Sequence, residues 1–198
     1  MRPIAPNEIE AASDVLGRAF ADNPGYRAFL PWMTDAERLR AVRAVKRGFV
    51  RAAVKHQVTD AVERDGRVVA ASLVCDPGQY PPSLRAKVWQ ASGCVSLGPR
   101  AIRNFLVVDA FLSRHHLREP HFYLFVLGVH PDWQGRGLGK ELLARLAARA
   151  DAAGLPCYLE TDKESSVRLY ESAGYAVLAD DMLLGTRFWR MRRPPRGF

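Results

Sequence analysis

A chain of 198 residues with 48% hydrophobic and 25% charged side chains is long enough to bury a substantial core as one domain, without disulfide or metal staples. Its net charge of +8 is spread along the sequence with no recognition motif beside it, which argues against a specific nucleic-acid partner and suits a small anionic ligand. The longest apolar run, Phe122–Val129, is far too short to cross a bilayer, so no membrane partner is expected.

Asn7 stands where it would cap a first amphipathic helix, with Ile9, Ala12, Leu16 and Phe20 at helical spacing and an end expected near Asp22-Asn23-Pro24-Gly25. Thr34 with Glu37 forms a capping-box signal for a second helix running towards Lys55. Residues 58–62 and 68–74 are β-prone and are joined at Asp65-Gly66, a strong hairpin turn. Over 76–120, Pro77-Gly78, Pro81-Pro82 and Gly98-Pro99 interrupt two helical stretches, 84–89 and 102–112, which read as a helical excursion over one side of the sheet. The dense strand at 122–129 leads through a glycine loop to a helix with Leu142, Leu143, Leu146 and Ala150 on one face, stopped by Gly154 and Pro156. A strand at 157–160, a helix at 166–173 and strands at 176–178 and 187–191 complete one domain over 1–198. Met1 to Glu8 lack the apolar core of a secretion signal, and Cys75, Cys94 and Cys157 have no spacing for zinc or disulfide chemistry, so a cytoplasmic protein without a metal is expected.

The most informative stretch is 129–141, Val-His-Pro-Asp-Trp-Gln-Gly-Arg-Gly-Leu-Gly-Lys-Glu. Gly135, Gly137 and Gly139 let the backbone approach a phosphate closely, and the helix that follows adds the positive end of its dipole. A dinucleotide fingerprint would need a glycine where Lys140 stands. A nucleoside-triphosphate loop would need a glycine at Gln134 and a hydroxyl residue at Glu141.

The loop Gln134-Gly135-Arg136-Gly137-Leu138-Gly139 resembles the phosphate loop of the GNAT superfamily of N-acetyltransferases. The lead-in Leu127-Gly128-Val129-His130-Pro131 resembles that family's central strand, and Leu159-Glu160-Thr161 with Leu169-Tyr170-Glu171-Ser172-Ala173-Gly174-Tyr175 resembles its next strand and helix. Glu119 to Leu124 and the arginine-rich ending are most similar to puromycin N-acetyltransferases and their relatives. The resemblance implies an α/β fold of α+β type, with a mixed, mostly antiparallel sheet, helices on both faces and a V-shaped cleft between two splayed strands.

It also implies acetyl-CoA as co-substrate, held by Gln134, Gly135, Arg136, Gly137, Leu138, Gly139 and Lys140, and direct attack by an amine on the thioester. A main-chain N–H near Leu127, Gly128 or Val129 would polarise the acetyl carbonyl. Tyr170 maps onto the family's proton donor to the departing thiolate, although as a residue alone it reads as an ordinary packed aromatic. Ser166 stands where relatives often carry a cofactor-contacting asparagine. For the base, Glu119 and His121 at the strand entrance are the nearest candidates, His130 and Asp132 lie near the pyrophosphate end, and a water chain is an alternative. His115-His116 lacks a third metal ligand, and no Gly-x-Ser-x-Gly elbow supports a hydrolase. The acceptor is read as a small-molecule amine, in a pocket drawn from 76–120, 22–32 and 182–188 and lined by Tyr26, Phe29, Trp32, Tyr80 and Trp89. Acetylation of a protein lysine or N-terminus, a non-catalytic acyl-CoA sensor and a basic nucleic-acid-binding domain are the competing readings; monomer and homodimer are both compatible.

Overall fold

The first apolar stripe forms α1 (Ile9–Phe20) of the computed structural model, which describes residues 1–56 and 58–197; positions 57 and 198 of the expected domain lie outside them. Asn7 does not act as the cap. It falls within a 3-10 turn, Pro6–Glu8, where the Glu8 carboxylate accepts from Ala5 N–H at 2.9 Å and pairs with Arg2, so the α-helix begins at Ile9. α1 stops at Phe20, close to the expected end, and Pro24 then opens a short helix that was not expected, α2 (Pro24–Phe29). Proline suits a first helical turn, and Asp162, 137 residues away, accepts from Gly25 N–H at 2.6 Å. A short helix is thus capped by a distant carboxylate that no local pattern announces.

Thr34 and Glu37 exchange the expected capping bonds, Thr34 N–H to Glu37 Oε2 at 2.9 Å and Glu37 N–H to Thr34 Oγ1 at 3.4 Å, at the start of α3 (Asp35–His56). The hairpin of β1 (Val58–Arg64) and β2 (Arg67–Cys75) turns through Asp65 and Gly66 at φ of 50° and 70°, as the favoured two-residue turn requires. The excursion contains α4 (Leu84–Val95) and α5 (Pro99–His115). Then follow β3 (Phe122–Val129), α6 (Leu138–Ala152), β4 (Cys157–Thr161), α7 (Glu164–Ser172), β5 (Ala176–Leu183) and β6 (Thr186–Arg193).

Among the described residues these strands form one sheet in the order β1-β2-β3-β4-β6-β5, antiparallel at every pairing except β3 with β4. Leu16 and Val50 of α1 and α3 pack with Leu73 and Val126 on one face, while Leu143 and Leu146 of α6 pack with Leu124, Leu159 and Met191 on the other. A bulge lies in the β2–β3 ladder: Val126 pairs with Leu73 and Leu124 with Val74, which leaves Phe125 without a partner on β2. Phe125 and Val126 therefore both face α1 and α3, and the side chains on either side of them, Leu124 and Leu127, face α6. No helix among the described residues is long and apolar enough to cross a membrane.

Candidate active site

β3 and β4 run side by side for two residue pairs, Phe122 with Cys157 and Tyr123 with Tyr158. Beyond these pairs the strands part, and the wedge becomes a cavity of about 500 Å³ bounded by β3, β4, the 134–140 loop and α7. His130 N–H donates to Val69 O at 2.8 Å. Successive residues of an antiparallel ladder turn their main-chain groups to alternate sides, so those of Leu127 and Val129 face away from β2 and into the wedge. Gln134 shows the same direction, since its side-chain amide donates to Val129 O at 3.1 Å. Gly128 lies between them for a packing reason: a Cβ there would stand 2.8 Å from Leu16 Cδ2 and 3.0 Å from Ala19 Cβ, so its absence lets α1 rest on the strand.

At the mouth of the wedge Gly135 and Gly137 have φ of +75° and +80°, a region that costs other residues roughly 1–2 kcal/mol. This path brings the chain into α6 with the wedge lined by Leu138, Gly139 and Lys140, whose N–H groups belong to the first helical turn and have no partner inside the helix. Donors of that kind, backed by the helix dipole, match a diphosphate. Gln134, Gly135 and Gly137 also line the cavity. Arg136 does not: its guanidinium stacks over Trp133 at 4.6 Å and donates to Asp132 O at 3.3 Å. On the opposite wall α7 contributes Ser166 and Tyr170, together with Ser165 and the preceding Lys163, neither of which the sequence had singled out. Tyr170 is 8% exposed, and its hydroxyl has no hydrogen-bond partner among the described residues. Burial, helped by the nearby Asp162 charge, raises its pKa, so the phenol keeps its proton.

A second cavity, of about 180 Å³, adjoins the first and shares with it Phe20, Phe125, Val126, Glu160, Thr161 and Asp162. Tyr26, Phe29 and Tyr80 line it, as expected for the acceptor pocket. Trp32 and Trp89 do not. Trp32 is 38% exposed beside Arg100, and Trp89 lies against Lys55.

Glu160 is the charged residue that the two cavities have in common with β4, and its side chain is 6% exposed. Tyr123 donates to its Oε2 at 2.7 Å, whereas its Oε1 has no hydrogen-bond partner. Burial of the charged form pushes Glu160 up to about 7, against the opposing pull of the tyrosine hydrogen bonds and Arg190. His116 Nδ1, also without a partner, faces Glu160 Oε1 at 4.0 Å; burial holds His116 down to about 3, so this approach is not an ion pair. The histidine tautomers follow from the bonds. His121 Nδ1 lies 2.7 Å from Glu119 O and must carry the proton, so His121 Nε2 accepts from His116 Nε2–H at 3.0 Å, and His116 Nδ1 is left bare towards Glu160.

The two base candidates drawn from the sequence thus lie outside both cavities. Glu119 is bound to Arg192 at 2.7 Å, and His121 reaches Glu160 only through His116. The signal for Glu160 was an acidic residue inside a short apolar strand. Its partner Tyr123 is 37 residues away, so no local pattern could identify the pair. Among the described residues no group of three or more His, Cys, Asp or Glu is placed to hold a metal ion.

A sheet wedged open beside a phosphate-ready loop defines a class, and the sequence matches its model: residues 55–175 fit the acetyltransferase (GNAT) family. The chain belongs to that family. It is 48% identical over 69 residues to a mycothiol acetyltransferase of Nocardiopsis dassonvillei, a match covering 33% of this chain and 21% of that one. It is 40% identical over 65 residues to the L-amino acid N-acyltransferase MnaT of Escherichia coli K12, covering 31% and 38%. The chain therefore spans well under half the length of these two relatives. Among solved structures, one described as histone acetyltransferase HPA2 and related acetyltransferase from Corynebacterium glutamicum aligns with a TM-score of 0.70 at 22% identity, over 98% of this chain and 95% of that one. The polyamine N-acetyltransferase of Drosophila melanogaster aligns with a TM-score of 0.69 at 16% identity, over 98% of both chains. At these identities the likeness is one of fold.

Proposed function

We propose that the chain transfers an acetyl group from acetyl-CoA directly to a primary amine of a small molecule. The observation that carries this reading is the meeting of the two cavities along the end of β4, with Tyr170 lining the wedge and Glu160 lining both spaces. The wedge fits the co-substrate: the first-turn amides of α6 and the glycine turn would hold its diphosphate, with Ser166 and Lys163 on the facing wall. Acetyl-CoA, when bound, supplies an acetyl thioester.

The chain's own residues then have distinct tasks. The N–H groups of Leu127 and Val129 stabilise negative charge developing on the acetyl oxygen. Glu160 takes a proton from the incoming ammonium and frees the nitrogen lone pair; with its pKa near 7 it is suited to that exchange at neutral pH. The second proton lost by the nitrogen balances the departing sulfur, a thiol with pKa about 8.5. Tyr170, protonated throughout, donates a hydrogen bond to that sulfur as charge builds on it. His121 acts only by fixing the tautomer of His116.

The test is release of coenzyme A thiol from acetyl-CoA in the presence of a panel of small amines, with the acetylated product identified by mass spectrometry. Amine-dependent release is expected. Peptides acetylated in preference to small amines would favour a protein-modifying enzyme, and binding of acetyl-CoA without turnover of any acceptor would favour a sensor. Salt-sensitive binding to random duplex DNA that ignores acetyl-CoA would favour the nucleic-acid reading.

A further inference from the structure

The second cavity is electrically polarised. Its β4 side carries Glu160 and Asp162, while α3 and α4 contribute Lys46 and Gln90. Lys46 is 3% exposed and Gln90 4%. Among the described residues, Lys46 Nζ has no hydrogen-bond or ion-pair partner; it sits 3.5 Å above the Phe20 ring, with Tyr26 and Phe49 at 5.1 and 5.6 Å. Gln90 Nε2 is a buried donor with no acceptor. The remaining acidic side chain on the helical side, Asp109, is taken by Lys87 at 2.9 Å. Both residues line the cavity where α4 lies directly on α3: a Cβ at Gly93 would stand 2.3 Å from Ala44 O.

A buried, unpartnered donor costs about 1–3 kcal/mol, and more when charged. Two such donors on one wall of a cavity match a ligand group that only accepts. We propose, building on the acetyl-transfer reading above, that Lys46 and Gln90 bind a carboxylate of the acceptor, so that the substrate class is amino carboxylic acids with an apolar body. The ammonium of such a molecule lies towards Glu160 and Asp162, its carboxylate towards Lys46 and Gln90, and its body among Phe29, Phe49 and Phe105.

The same geometry excludes a competing class. An aromatic cage of this kind would attract the second cation of a diamine, but the Lys46 amine already occupies it. Burial takes Lys46 down to about 7, with Asp162 opposing only in part; a carboxylate against Nζ returns it to the charged state.

The experiment compares L-phenylalanine, phenethylamine and spermidine as acceptors for the wild-type protein and for Lys46→Met and Gln90→Leu, with calorimetric binding of 3-phenylpropionate as a readout independent of turnover. A charge-assisted hydrogen bond is worth about 1.5–3 kcal/mol, so wild-type kcat/KM should favour phenylalanine over phenethylamine by roughly 10- to 100-fold. That ratio should fall to about one in Lys46→Met and partway in Gln90→Leu, and 3-phenylpropionate binding should disappear in Lys46→Met. Equal or better use of phenethylamine or spermidine by the wild type overturns this proposal and leaves the acetyl-transfer reading intact. Wild-type binding of 3-phenylpropionate that survives in Lys46→Met overturns it as well. Failure of every acceptor, with or without a carboxylate, overturns the acetyl-transfer reading itself.

Discussion

Tyr123 and Glu160 meet across the seam of the sheet: from the last residue pair before β3 and β4 separate, the tyrosine hydroxyl donates to Glu160 Oε2 at 2.7 Å. This bond fixes one carboxylate oxygen and leaves the other without a partner. If that carboxylate accepts the ammonium proton, Glu160→Gln lowers kcat by roughly 10²- to 10⁴-fold while leaving the affinity for acetyl-CoA near its original value. Steady-state kinetics together with calorimetry separate the two effects. An amide that works as well as the acid would remove Glu160 from the chemistry.

The pH profile has a definite sign. Glu160 is pushed up to about 7, so its proton-accepting form is populated above that pH and lost below it. With an acceptor that lacks a carboxylate, kcat/KM therefore falls about tenfold for each pH unit below 7 and levels off above it. Lys46 also titrates at about 7 in the same cavity, so the profile is repeated in Lys46→Met, where the limb that remains belongs to Glu160. Of the other groups facing Glu160, His116 titrates far lower and Tyr123 and Tyr158 far higher. The Tyr123 bond favours the ionised form, so Tyr123→Phe moves the limb to higher pH.

Tyr170→Phe removes only an oxygen from a buried ring. The protein should fold, bind acetyl-CoA with unchanged affinity and turn over roughly 10²-fold more slowly or worse. Unchanged kcat would reduce Tyr170 to its packing against Tyr175, where the ring centroids lie 5.8 Å apart.

Gly137→Ala meets no neighbour within 4 Å, so its whole effect comes from φ of +80°. Stability should fall by about 1–2 kcal/mol, or the loop should relax and weaken coenzyme A binding by a comparable factor. Denaturation and titration read the two outcomes. Gly93→Ala differs in kind, because the new methyl collides with the Ala44 carbonyl of α3; a cost of about 1–3 kcal/mol is expected, with loss of the acceptor cavity before loss of the cofactor cleft.

The parts of the fold legible in the sequence are those that local chemistry decides. The Asp65-Gly66 turn, the Thr34 capping box and the Gly135–Gly137 loop appear where the residues place them. Features stabilised across long sequence separations were not legible. α2 depends on Asp162 for its cap, and β5 extends to Leu183 through Asp180 and Asp181, polar residues that read as loop until Arg187 and Arg190 of β6 pair with them. The same limit applies to the site. Tyr170 and the glycine loop carry short motifs, whereas Glu160, Lys46 and Gln90 acquire their character from burial, which depends on what folds over them.

Among the described residues, the two residue pairs that join β3 to β4 are the only ladder between the β1–β3 and β4–β6 halves of the sheet. Whatever fills the gap beyond them touches both halves and acts as a keystone. Each tenfold of ligand concentration above its dissociation constant then adds about 1.4 kcal/mol to the resistance of the native state, and hydrogen exchange should slow on both banks of the seam together, not only at the loop that grips the ligand.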